Sequence, residues 1–163
     1  MNEFRVYYER HLPHYQPPDA TLFITFRLAG SLPAHVIEQL HKESLHWRNG
    51  RVYNLLAYCI MPNHGHLVAT PLRDAHGTPY ALSTILQSLK RHTGRKANQL
   101  LGRHGAFWQH ESYDHVVRDG EEMERIIDYV IKNPVRAKLV SNPQDWAYTY
   151  WVGFGESPYT AHS

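Results

Sequence analysis

Met61-Pro62-Asn63-His64-Gly65-His66-Leu67-Val68 links two apolar runs through a tight Pro-Asn connection. Arg51 to Ile60 and His64 to Thr70 each have strand composition, so the pair predicts a β-hairpin. Side chains alternate along a strand, which puts His64 and His66 on one face and Gly65 on the other. Two imidazoles converging from one strand begin a metal site. With 13 histidines in the chain, a chance His-x-His is the competing explanation.

Working outward, Thr21 to Leu28 is β-branched and aromatic and predicts a first strand. Ser31 is placed to cap a first helix with Pro33 in its opening turn; Val36, Ile37, Leu40 and Leu45 form its apolar stripe, and Asn49-Gly50 stops it. Thr84 to Gln87 has capping-box spacing for a second helix through Leu89, with Thr93-Gly94 breaking or bending it before Asn98 to Leu101. Phe107 to Arg118 predicts strand four. Asp119, with Glu122 three residues on, opens a third helix through about Ile131, and Pro134 should end or kink it near Asn133. The order gives an α+β chain: a ferredoxin-like split βαββαβ core with an antiparallel sheet and an added C-terminal helix carrying Tyr129.

A single domain over residues 1–163 is expected. Residues 1–19 form an arm rich in proline and tyrosine, and residues 140–163 an aromatic tail whose Trp146, Tyr148, Tyr150 and Trp151 suggest a packed lid. The composition, 42% hydrophobic and 20% charged, argues against disorder. A net charge of +2 gives weak support for a nucleic-acid partner. One cysteine, Cys59, rules out an internal disulfide and fits a reducing compartment. No secretory signal opens the sequence, and no apolar run approaches the ~20 residues that span a bilayer. The expectation is a soluble, cytoplasmic protein with no membrane association and no obligatory protein partner.

The third helix carries the second chemical signal. Met123, Ile126, Ile127, Val130 and Pro134 share one face at helical period. Tyr129 and Asn133, four apart, stack at the border of that stripe. Tyr129 could be a packed ring with a wet hydroxyl, and Asn133 a helix cap before proline. Together with two imidazoles, however, a phenol and an amide supply what a phosphodiester cleavage site requires: ligands for a cation that polarises the phosphate, and a nucleophile. The segment His110-Glu111…His115 lacks zinc-protease spacing and is discounted as a second metal site.

Three stretches in this order resemble a known family, the REP-associated tyrosine transposases among the single-tyrosine HUH transposases. They are Met61 to Val68, Gly105-Ala106-Phe107-Trp108-Gln109-His110, and Tyr129-Val130-Ile131-Lys132-Asn133-Pro134-Val135-Arg136-Ala137. The likeness runs from about residue 20 to residue 150. It implies that His64 and His66 bind Mg²⁺ or Mn²⁺, that Asn133 is a third ligand, and that Tyr129 is the nucleophile. It also implies the substrate: single-stranded DNA hairpins of palindromic REP type, cut to a 5′-phosphotyrosine and a free 3′-hydroxyl. The chain departs from the family at Gly65, where a bulky hydrophobic residue is usual. Two imidazoles by themselves suit zinc or another transition metal better than magnesium, so the metal's identity rests on the resemblance.

Lys90, Arg91 and Arg95 on the second helix, and Arg136 after the tyrosine helix, are candidate DNA contacts, with Lys96, Arg103 and Lys138 nearby. A solvated helix face is the plain alternative. Arg5, Tyr8 and Arg10 in the arm join charge to stacking rings and would read bases beside the hairpin. Two competing functions remain: a catalytically silent hairpin-binding protein of the same fold, and a zinc hydrolase of a small substrate in which Tyr129 is structural.

Overall fold

The structure is a computed structural model that describes residues 16–28, 30–44, 49–109 and 112–152. Arg5, Tyr8, Arg10 and the rest of the arm before Gln16 lie outside the described residues, as do Leu45, His110, Glu111 and the tail beyond Val152.

Strands β1 (Leu22–Arg27), β2 (Tyr53–Ile60), β3 (His64–Pro71), β4 (Ser112–Val116) and β5 (Thr149–Trp151) form one antiparallel sheet in the order β4-β1-β3-β2-β5. Helices α1 (Ala34–Gln39) and α2 (Leu82–Leu101) complete the split βαββαβ core, and α3 (Gly120–Arg136) is the added helix.

Strand alternation divides the core in two. Leu22, Ile24, Phe26, Leu67 and Ala69 pack with Val36 and Ile37 of α1 and Ile85, Leu86 and Leu89 of α2. Phe23, Val68, Cys59 and Met61 pack on the other face with Ile126, Ile127, Val130 and Ile131 of α3. In β2 a bulge between Leu55 and Ala57 resets the alternation. Leu55 before it and Tyr58 and Ile60 after it therefore all face the α1/α2 side.

Five local expectations are corrected, the last at Pro134. Ser31 does not cap α1; Pro33 occupies the boundary with no side-chain cap bond, and the helix widens into π-type turns at Leu40–Ser44. Thr84 does not cap α2 either. The helix begins at Leu82, whose N–H donates to Gln16 Oε1 at 2.7 Å, so the end of the arm supplies the cap from 66 residues away. Thr93-Gly94 does not break α2. Thr93 Oγ1 donates to the Leu89 carbonyl at 2.7 Å, and Gly94 admits Phe107, whose Cβ would lie 3.2 Å from any added Cβ. The aromatic tail is not a lid: Thr149–Trp151 is β5, a strand added to the β2 edge, and Trp146 Nε1 donates to the Ile60 carbonyl at 2.9 Å.

Asp119 caps α3 as expected, accepting from Glu122 N–H at 2.8 Å. Pro134 neither ends the helix nor marks Asn133 as a cap; α3 runs on to Arg136. The sheet face buries Ile131 and Pro134 and holds this last turn in place. The helix closes only after it, with Lys138 N–H donating to Val135 O and Leu139 N–H to Pro134 O, both 3.0 Å, and Lys138 in the left-handed region at φ 60. Among the described residues no helix is long and apolar enough to cross a membrane.

Candidate active site

The hairpin places His64 at the first position of β3, opposite Arg27 of β1, and His66 two residues on, opposite Thr25. Both imidazoles face α3, and their centroids are 4.9 Å apart. Gly65 points to the α2 side, as alternation requires.

Each imidazole is held by its Nδ1. His64 Nδ1 lies 2.7 Å from Asn63 Oδ1, an acceptor, so this nitrogen carries the proton and Nε2 keeps its lone pair. His66 Nδ1 lies 2.8 Å from Thr25 Oγ1, a hydroxyl that either donates or accepts; with Thr25 accepting, His66 Nε2 keeps its lone pair as well. His66 Nε2 is then a buried atom with no hydrogen-bond partner, in a side chain 5% exposed. An unsatisfied buried polar atom is costly, and at a candidate site it points to a missing ligand. Neighbours that fix the tautomer of a ligating histidine are the usual outer support of a metal site.

From α3, Asn133 Nδ2 donates to His64 Nε2 at 3.0 Å; the amide oxygen would face a cation there after the amide turns over. Asn133 is buried inside the helix, so its amide is committed to the site and not to capping. Tyr129, one turn earlier, is half-buried, its ring 5.6 Å from the His66 ring and edge-on to Phe23 at 6.2 Å. The predicted quartet of His64, His66, Tyr129 and Asn133 thus comes together on one face of the sheet.

Both histidines are held neutral at ordinary pH. Burial, then the Arg27 charge, pushes His64 down to about 4. Burial, then His64, Arg27 and Arg136, holds His66 well below the usual imidazole range. Two neutral imidazoles with inward Nε2 lone pairs are competent cation ligands. Among the described residues no three His, Cys, Asp or Glu side chains cluster as a ligand set, so the third protein donor would be the Asn133 amide oxygen. The residues fit a divalent cation on these grounds.

The candidate DNA contacts separate. Lys90, Arg91 and Arg95 line an open groove of about 790 Å³ between α2 and residues 102–109, joined there by Arg103 and by no acidic residue. This groove is on the α2 side of the sheet, away from Tyr129. Its floor nevertheless leads toward the site: Lys90 Nζ donates to the Gln109 carbonyl, and Gln109 N–H to the carbonyl of Arg27. Arg136 is elsewhere, over the Tyr129 ring with its guanidinium carbon 4.5 Å from the centroid. Thr25, Arg27 and Phe23 escaped the sequence reading. Their roles depend on cross-strand register, which nothing in their local sequence discloses.

No family model matches the chain. A Haemophilus influenzae protein named as a REP-associated tyrosine transposase is 24% identical over 102 residues, covering 60% of this chain and 58% of that protein. The match therefore spans little more than half of that relative's length. A solved structure described as the REP-associated tyrosine transposase bound to a REP hairpin is similar with a TM-score of 0.68 and 20% identity, over 93% of this chain and 96% of that one.

Proposed function

We infer that this chain, a relative of the REP-associated tyrosine transposases, cleaves and transfers single-stranded DNA at palindromic hairpins through a tyrosine nucleophile. The observation that carries this reading is the buried, partnerless His66 Nε2 beside the Tyr129 ring, with His64 and Asn133 completing one donor cluster.

In this reading His64, His66 and Asn133 hold Mg²⁺ or Mn²⁺. When bound, the cation withdraws charge from a phosphate oxygen and favours loss of the phenolic proton. Thr25 and Asn63 hold the two imidazoles in the ligating tautomer. Tyr129 Oη forms a bond to phosphorus while the bond from phosphorus to the 3′-oxygen breaks. The phenol gives up its proton and the departing 3′-oxygen takes one up, leaving a 5′-phosphotyrosine and a 3′-hydroxyl. Attack of a 3′-hydroxyl on that linkage reverses the step and rejoins DNA. The groove of Lys90, Arg91, Arg95 and Arg103 takes phosphodiester backbone, and Arg5, Tyr8 and Arg10 of the arm contact bases flanking the hairpin.

Labelled hairpin DNA incubated with the protein and Mn²⁺ tests this. The expected result is a covalent adduct that survives denaturation and disappears in Tyr129→Phe. Hairpin binding with no adduct in the unaltered chain would instead support the silent binding protein.

A further inference from the structure

We infer that Arg136 is a positioning residue for the nucleophile, clamping the Tyr129 ring by its face and its backbone together. This deepens the reading of Tyr129 as the attacking group and rests on it. Arg136 is seven residues beyond Tyr129, two helical turns, so the two share a face as long as the helix continues. It does continue, through Pro134, to Arg136 itself. Long side chains on a helix lean toward its N-terminus, which sends the guanidinium back over the tyrosine.

Two contacts define the clamp. The guanidinium carbon is 4.5 Å from the Tyr129 ring centroid, and Nη1 donates to the Tyr129 carbonyl at 2.8 Å. One group thus fixes the ring relative to its own backbone, which a contact to the ring by itself would not do. Phe23 and His66 meet the ring from the sheet, at 6.2 and 5.6 Å. Arg136 meets it from the exposed end of the helix. The paired ring and backbone contacts from Arg136 restrict the rotamer freedom of this half-buried phenol. In-line attack on phosphorus tolerates little such freedom, because misplacement by about 1 Å costs on the order of 100-fold in rate. Lysine would not replace this arginine: a compact ammonium offers neither the planar face nor the forked donors.

The test has two arms in the full chain. In the first, 3-fluorotyrosine is placed at position 129 and observed by ¹⁹F NMR without DNA. The expected line is displaced from that of free 3-fluorotyrosine, and it moves toward the free position in both Arg136→Ala and Arg136→Lys. An unchanged line in Arg136→Ala overturns the proposal. In the second, adduct formation at saturating hairpin is compared with hairpin Kd. Both variants should form adduct at least about tenfold more slowly with Kd within about twofold. A weakened Kd restored by lysine, with the saturated rate unchanged, would make Arg136 a phosphate contact and overturn the clamp. Should the unaltered chain form no adduct, the proposed function falls while the fluorine arm still decides the role of Arg136.

Discussion

His66 and Leu67 are adjacent on β3 and serve opposite halves of the molecule. Leu67 points into the apolar layer under α1 and α2, where it belongs to the larger hydrophobic cluster. His66 points toward α3, where apolar packing gives way to Thr25, His64, Asn133 and Tyr129. Both are buried, at 1% and 5% exposure, but only His66 has a polar atom that nothing satisfies. One face of the sheet packs apolar side chains, and the other leaves His66 Nε2 without a partner at a cost in stability. A polar residue buried without a partner costs on the order of 1–3 kcal/mol, which a purely structural face would have shed.

The sharpest way to break this contrast is to truncate both neighbours. Leu67→Ala should destabilise by about 3 kcal/mol through the cavity it leaves. His66→Ala should cost much less and yet abolish adduct formation. Equal loss of stability from the two, by chemical denaturation, would erase the distinction between the faces.

The α3 face also holds a buried carboxylate cluster, in which His115 Nδ1, like His66 Nε2, has no hydrogen-bond partner. Glu122, its side chain 3% exposed, accepts from His115 at 2.7 Å and from the Arg118 backbone and guanidinium at 2.9 and 2.8 Å. Burial works to raise this carboxyl, but Arg118 and then His115 overcome it and hold it at about 2. Between the ordinary 4.5 and about 2 the unfolded chain binds the extra proton, so stability should fall as pH drops through that window. Glu122→Gln should flatten the fall. Glu122→Ala should cost about 1–3 kcal/mol at neutral pH because it removes the acceptor of His115 and of the Arg118 N–H, while the exposed Arg118 guanidinium returns to water. A flat profile between pH 4.5 and 2 in the unaltered chain would show that the cluster is not held in this way.

The smallest effect is expected behind the histidines. A void of about 20 Å³ touches Gly65, and an added Cβ would meet only the Cys59 carbonyl, at an ordinary 3.7 Å. Gly65→Ala should therefore stabilise by about 0.5–1 kcal/mol, read as a rise of a few degrees in Tm, with cleavage unaltered. A lower Tm would mean that β3 needs its glycine.

The order of elements and the grouping of His64, His66, Tyr129 and Asn133 were legible because both follow from period. Alternation put His64 and His66 together, and helical spacing put Tyr129 beside Asn133. What escaped depended on distant chain. The cap of α2 comes from Gln16, the β2 bulge resets alternation only against β3, and β5 becomes a strand because β2 offers an edge. Pro134 was misread for a related reason: its local preference to end a helix is outweighed by burial of α3 on the sheet. That burial is also what brings Arg136 back over Tyr129.

Mn²⁺ binding followed by pulsed EPR tests the donor cluster most directly. One bound ion with magnetic coupling to two imidazole nitrogens is predicted, lost in His64→Ala and in His66→Ala and retained in Tyr129→Phe. An ion that binds without nitrogen coupling, or that survives both histidine substitutions, would contradict it.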